Sequence, residues 1–574
     1  MESVLNAMQS FIGSSGPSGC PVNILQPLRP LNEDSISSST TYSDGTLTNT
    51  PSANIGFNEG LASATDLVAT LPPNPNPLYL SQNSPLSISA PLPNPADERL
   101  NFFRYRMLPY FPFIDLNPDM TSSYLRRDRP VLFQAIYTVT TFSTQERLVQ
   151  VEELKHLLLT SALLKVQSNI DLLLGSLTYL AWSTDAFLGK ADLMSRLMML
   201  AISLVYDMRL FKPPSQDVQL MMAITQGRND KNSHSLNDET PYALLERHRA
   251  ILACFILSSN ISTHLGRQDA IRWTPRMEES LRVLAIQKAC PADELFVYQV
   301  RLQLLKQKGD FFQQQDETDC ARTGTATAGD SGPRLMYIKI LRVQLHELRS
   351  SFPSDLPQID ILNIHAQYVE LYINQLAYSI SQDSLHLGLS RQIDGSEGFL
   401  GFERLKCLWQ SVENIKSWLD DFYRIPCSKL VGQPFHFWSQ MILSITLLKY
   451  LSTLKDPEWD CQAVRSTVHL ISAMDSMLQK LDLSSKEPEL QCNDHLLKYL
   501  SKLLTKCRLW AEAQWDMASP IQDEDTRPCQ NANPETTCHD HHIPDLNQIA
   551  WMQSMDLGDD QWFEDVLNIP TTFY

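Results

Sequence analysis

The stretch MSRLMMLAISLV (Met194–Val205) sets Met194, Leu197, Met198, Ala201, Ile202 and Val205 at i, i+3, i+4, i+7, i+8 and i+11. That spacing draws one face of a 3.6-residue helix, whereas a strand would repeat every two residues. The same pattern recurs in Leu154–Val166, Leu172–Trp182, Tyr242–His264, Leu335–Leu348, Ile361–Ile380, Phe402–Phe422, Phe435–Leu454 and Leu496–Trp510. Proline or glycine clusters punctuate the series, as in KPPS at 212–215 and TGTATAGDSGP at 323–333. No sustained period-two run stands out, and no fixed repeat of the solenoid kind is present. The expected fold class is all-α: one large multi-helix domain over 96–515, flanked by disordered N- and C-terminal segments.

The flanks read differently. Residues 13–97 are rich in Ser, Pro, Asn, Thr and Gly, too poor in apolar side chains to offset the entropy of ordering. Residues 1–95 are therefore expected to be a disordered linker, with a short helix over SVLNAMQSFI, where Leu5, Met8 and Ile12 fall at helical spacing. Residues 516–574 form a second such segment, rich in Pro, Asn, Asp and Thr until Pro544. It ends in MDLGDDQWFEDVLNI (Met555–Ile569), where acids alternate with aromatic and aliphatic residues.

Charge follows the same division. The chain carries net -18. Residues 1–97 hold seven acids and one Arg, hence -6, and residues 516–574 hold twelve acids and one Arg, hence -11. The middle is left nearly neutral at -1. A broad grip on nucleic acid by this chain is not expected, because phosphate contact needs a cationic face. Eleven scattered cysteines without a compact framework point to a reducing compartment. No secretory signal and no run long enough to span a bilayer are visible, so no membrane partner is expected.

Motifs for chemistry are missing. The sequence has no phosphate-binding glycine loop, no nucleophile elbow and no H-E-x-x-H. Cys254 lies on an apolar helix and reads as a small buried hydrophobe. Cys538-His539-Asp540-His541-His542 is rich in metal-binding types, but adjacent residues do not close a tetrahedral site, so it reads as a solvated tract. Lys498, Lys502 and Lys506 read as the wet face of an amphipathic helix, and Arg126, Arg127 and Arg129 as surface charge beside Asp128. No enzyme activity, catalytic residue, metal or cofactor is expected.

Five segments carry a resemblance: FFRYRMLPYFPFIDL (Phe102–Leu116), RPVLFQAIYTV (Arg129–Val139), NIDLLLGSLTYLAW (Asn169–Trp182), ERHRAILACFILSSNISTHLGR (Glu246–Arg267) and IRWTPRMEESLRVL (Ile271–Leu284). In this order and spacing they resemble the regulatory middle homology domain of fungal binuclear zinc-cluster transcription factors. The match is good over roughly 100–290 and loose over 290–515. The residues fit: Pro109 and Pro112 turn Phe111, Phe113 and Ile114 toward a core, and Asn169-Ile170-Asp171 supplies an N-cap before an apolar run. Glu246 to Arg249 open a helix whose inner face is Ile251, Cys254, Phe255 and Ser258. The family's zinc cluster needs six cysteines beginning with C-x-x-C, yet Cys20 is the only cysteine before Cys254. No zinc ligand carries over, and direct DNA binding by this chain is not expected. The cluster is either naturally absent or lies in a piece preceding Met1.

The resemblance implies a nuclear transcriptional regulator, with control of a local gene set such as a secondary-metabolite biosynthetic cluster among the roles of such proteins. Its implied partners are coactivators or the transcription machinery, with a DNA-binding zinc-cluster protein or a second copy of the chain. The activation segment is expected at 545–569, with Trp551, Met555, Leu557, Trp562, Phe563, Val566 and Leu567 as its partner-binding side chains. The alternative is an all-α ligand sensor or scaffold with no transcriptional role.

Overall fold

The first helix, α1 (Pro95–Phe102), begins where its sequence says it should. Asn94 Oδ1 accepts from Ala96 N at 3.1 Å, proline occupies the first helical position, and Asp97 and Glu98 face the positive end of the helix dipole. The computed structural model describes residues 94–184, 187, 190–210, 240–265, 270–323, 331–378, 397–454 and 456–517 except 489, 491, 493 and 494. All of them lie in the unit Ser89–Tyr574.

Beyond α1 the chain widens into a π-helical turn (Phe103–Met107) and a 3-10 turn (Leu108–Tyr110). Phe111 and Phe113 are then fully buried, as the prolines predict. They join Trp182 in an aromatic cluster, with centroids 6.4 Å and 6.3 Å away. Trp182 Nε1 donates to the Gly432 carbonyl at 3.0 Å. A Cβ at Gly432 would lie 1.7 Å from the Arg106 carbonyl oxygen, so only glycine permits this approach.

Helices α2 (Ser122–Asp128), α3 (Pro130–Val139), α4 (Thr144–Leu158), α5 (Ile170–Trp182) and α6 (Ala191–Asp207) follow. The predicted cap is present: Asn169 Oδ1 accepts from Leu172 N at 2.9 Å. Asp171 has a different task. It accepts from Val131 N at 3.0 Å and Leu132 N at 2.9 Å, and so caps α3, whose own N-cap Arg129 makes no such bond. Gly175 lets α3 and α5 close, since a Cβ there would lie 2.7 Å from Val131 Cγ1. Helix α5 is apolar all round because it is buried all round. On α6, Met194, Leu197, Met198, Ala201 and Val205 face the core and Ile202 is half-buried.

The pattern read over Leu154–Val166 does not continue to its end. After α4 a π-helical turn runs over Leu159–Leu164, and Val166 adopts φ 50° and is 80% exposed. The extra residue per turn rotates the apolar side chains off the core-facing stripe.

Helix α7 (Pro241–Leu265) starts earlier than Glu246, which places Glu246, His248 and Arg249 inside the helix and buries them. Arg249 forms a two-pronged pair with Asp293, 2.7 Å and 2.9 Å, and both are 1% exposed. Then come α8 (Pro275–Gln287), α9 (Ala292–Thr323), α10 (Ser331–Ser350), α11 (Ile359–Gln375), α12 (Glu397–Arg424), α13 (Cys427–Leu430), α14 (Phe435–Thr453), α15 (Cys461–Thr467), α16 (Leu470–Ser484) and α17 (Leu496–Met517). No strand occurs among the described residues. The architecture is all-α, as the periodicity requires. No described helix is long and apolar enough to cross a membrane.

Candidate functional site

Four helices far apart in sequence bring polar side chains into the core. Helix α7 contributes Ser259, Asn260 and His264, with Thr263 half-buried beside them, and α9 contributes Gln299, Gln303 and Lys306. Helix α11 adds His365 and Tyr368, and α14 adds His436 and Gln440. The spacings are helical: Gln299, Gln303, Lys306 at i, i+4, i+7, and His436, Gln440 at i, i+4. A polar stripe therefore runs down faces that apolar residues would ordinarily fill.

At one end of this stripe the polar groups bond mostly to one another. Gln303 Nε2 donates to Ser259 Oγ at 2.5 Å, and Asn260 Nδ2 donates to Gln303 Oε1 at 3.2 Å. Lys306, 0% exposed, donates to Thr263 Oγ1 at 2.5 Å and stands 4.7 Å over the Tyr372 ring. Tyr372 in turn donates to Asp310. Burial lowers the Lys306 ammonium to about 8 against the pull of Asp310, and desolvation raises the Asp310 carboxyl.

The other end is left open. His365 Nδ1 donates to Gln440 Oε1 at 3.0 Å, and Gln299 Nε2 donates to the Tyr110 carbonyl at 2.7 Å. Their remaining atoms, His365 Nε2 and Gln299 Oε1, have no hydrogen-bond partner, nor do Tyr368 OH and His436 Nδ1. All four residues line one cavity, whose volume for the centre of a water-sized sphere is about 30 Å³. That is room for about two waters. Phe111, Ile256, Leu302 and Val369 supply its apolar wall. Each buried polar group left unpaired costs about 1–3 kcal/mol, so this end of the stripe is expensive unless something occupies it.

The site is electrically quiet near neutrality. Burial lowers His365 to about 4, with its bond to Gln440 opposing. Burial likewise holds His264 and His436 well below the usual histidine range, and repulsion lowers each further, from Lys306 for His264 and from the other two histidines for His436. The His365 and His436 rings lie 5.2 Å apart. Among the described residues no group of three or more His, Cys, Asp or Glu could hold a metal. Cys254 is a buried free thiol, and burial drives it upward, away from thiolate. Nothing here fits a binuclear zinc cluster.

None of these polar residues was singled out by the sequence. The signal was present in α9, where glutamines and a lysine alternate with Phe296, Val300 and Leu302 at core spacing. The residues that were singled out take ordinary places. Cys254 is a core thiol, Arg127 pairs with Asp128 at the surface, and Arg129 pairs with Glu246 at 2.9 Å. Lys498, Lys502 and Lys506 lie on the wetter side of α17, opposite buried Leu500 and Leu503. The activation-segment residues Trp551, Met555, Leu557, Trp562, Phe563, Val566 and Leu567 lie outside the described residues, as do Cys538–His542 and the SVLNAMQSFI stretch.

Comparison with known proteins places the chain. It is 64% identical over 576 aligned residues to a protein of Aspergillus terreus named "Transcription factor", covering 100% of this chain and 87% of the relative. It is 26% identical over 378 residues to transcription factor opdL of Penicillium oxalicum, covering 65% of this chain and 63% of the relative. It is 28% identical over 211 residues to transcription factor himD of Aspergillus japonicus, covering 36% and 33%. A family model described as the ATEG07667_C C-terminal domain matches residues 427–574, which includes α13 to α17. No solved structure matches. The chain belongs to a family of fungal transcription factors, and it is a regulator of transcription rather than an enzyme.

Proposed function

We propose that the chain controls transcription of a local gene set, such as a secondary-metabolite biosynthetic cluster, and acts in the nucleus. The helical domain over 96–515 is its regulatory part, and the acidic tail over 516–574 engages coactivators or the transcription machinery. Reading of DNA is supplied by a partner or by a zinc cluster missing from this chain, and the chain pairs with a DNA-binding zinc-cluster factor or with a second copy of itself. The observation that carries this reading is the 64% identity to a transcription factor along the whole chain.

The chemistry of the tail supports its part. A helix over Asp556–Leu567 would bring Trp562 and Phe563 onto the turn before Val566 and Leu567, suited to an apolar groove. Asp556, Asp559, Asp560, Glu564 and Asp565 would keep the segment soluble and steer it toward basic rims. Gly558 weakens such a helix by roughly 1 kcal/mol relative to alanine, so the segment folds on its partner.

The test tethers the full chain to a reporter promoter through a foreign DNA-binding domain. Trp562→Ala with Phe563→Ala should reduce reporter output to background while leaving the thermal unfolding of the chain unchanged. Undiminished output in the double variant would defeat the activation role of the tail. Output at background for the unaltered chain would defeat the reading as an activator.

A further inference from the structure

We infer that residues 159–166, the turn that follows α4, form the surface on which a second copy of this chain docks. The inference rests on one arm of the proposed function, the pairing with a second copy, and supplies the surface for it.

The turn shows apolar side chains that the core does not use. Helix α4 faces the core with Val151, Leu154 and Leu158. The large apolar residues that follow, Leu159, Leu163, Leu164 and Val166, are exposed, from 47% at Leu159 to 80% at Val166. Lys165 N donates to the Thr160 carbonyl at 2.9 Å, the bond of a π-helical turn. That turn sets Leu163 and Leu164 one turn on from Leu159. Ser168 Oγ donates to Asp207 Oδ2 at 3.2 Å, so the exposed ring of Tyr206 stands at the same end of the helices. Val166 adds a second observation. Its φ of 50° is a backbone that β-branched residues rarely adopt. A strained residue with its side chain in solvent gains nothing from the core, and such strain collects at sites of contact.

Size and charge choose the occupant. The four aliphatic side chains present roughly 400 Å² of apolar surface. A standard interface takes about 800 Å² from each partner, a little more than half of it non-polar. The patch therefore matches the apolar part of one complete half-interface. The charges beside it have both signs. Lys165 is exposed and makes no ion pair among the described residues, while Glu153 is exposed and accepts from the Gln134 amide at 3.3 Å. Glu152 is paired with Lys155. A strongly acidic or basic partner would meet like charge on such a rim. A second copy related by a two-fold axis meets the same apolar patch and can set the basic side of one rim against the acidic side of the other.

The test is sedimentation velocity on the full-length chain over a concentration series. A monomer–dimer equilibrium is expected. Leu163→Glu with Leu164→Glu puts charge in the middle of the patch and should weaken the dimer by about a hundredfold or more. Val166→Asn suits the left-handed backbone and removes the apolar side chain. It should weaken the dimer about tenfold without lowering thermal stability, measured where both proteins are monomeric. If the double variant fails to fold, Val166→Asn carries the test. A monomer at every concentration would overturn the surface and the pairing together. A dimer undiminished in the variants would overturn this surface and leave the pairing standing. Open-ended oligomers would show an adhesive patch without a two-fold and would overturn the proposal as well. No reporter output enters these readouts, so activation by the tail is judged by its own test.

Discussion

Replacing His365 with glutamine should make the helical domain less sensitive to acid. In the folded chain burial lowers this imidazole from 6.5 to about 4, while in the unfolded chain it returns to the ordinary value. Between those values the unfolded state binds the extra proton, so acid favours unfolding. The contribution is fully present above 6.5 and is lost as pH falls toward 4. For one such group the loss is about 2 kcal/mol by about pH 5 and about 3 kcal/mol by about pH 4. His264 and His436 titrate in the same direction and enlarge the wild-type loss. The comparison of variant with wild type removes their share. Urea unfolding followed by far-UV circular dichroism at about pH 7 and about pH 5 measures it. His365→Gln should lose about 2 kcal/mol less than wild type on acidification. An equal loss in the two proteins would refute the reasoning, because it would mean that His365 takes up its proton in the folded state without penalty.

Two further outcomes follow from buried charge. Arg249→Met strands the Asp293 carboxylate, 1% exposed, and should cost about 3–5 kcal/mol in urea unfolding. Adding Asp293→Leu should recover most of that loss, because the uncompensated charge goes with it. Asp171→Ala removes the acceptor for Val131 N and Leu132 N and should cost about 1–2 kcal/mol, whereas Asp171→Asn, which keeps one acceptor, should cost less. Melting temperatures of the two variants, read side by side, check the order.

What could be read from the sequence depended on which face of each helix is apolar. Helix α6 was plain because Met194, Leu197, Met198, Ala201 and Val205 mark its buried stripe with apolar atoms. Helix α9, the longest described at 32 residues, escaped the periodicity altogether. Its buried stripe includes Gln299, Gln303 and Lys306, and a search for apolar spacing treats those residues as surface. The same reason hid the candidate site. Asn260, Gln303, His365 and Gln440 each look like solvated side chains when taken singly, and only their convergence from four helices shows otherwise. Asp171 was hidden by distance: it read as part of its own helix start but caps a helix 40 residues earlier. The underwound end of α4 misled for a third reason, since a π turn keeps the residue types of a helix while rotating their faces.

The two ends of the polar stripe make different demands on the fold. Around Lys306 the ammonium, Thr263, Gln303 and Ser259 are bonded, and on the same two helices Arg249 and Asp293 form a two-pronged pair. Such bonded pairs fix helix register. Around His365 the bonding is incomplete, and the unsatisfied atoms come from α9, α11 and α14 at once. Gln299 also ties the cavity to the Tyr110 carbonyl, in the turn that sets the Phe111 ring 5.4 Å from His436.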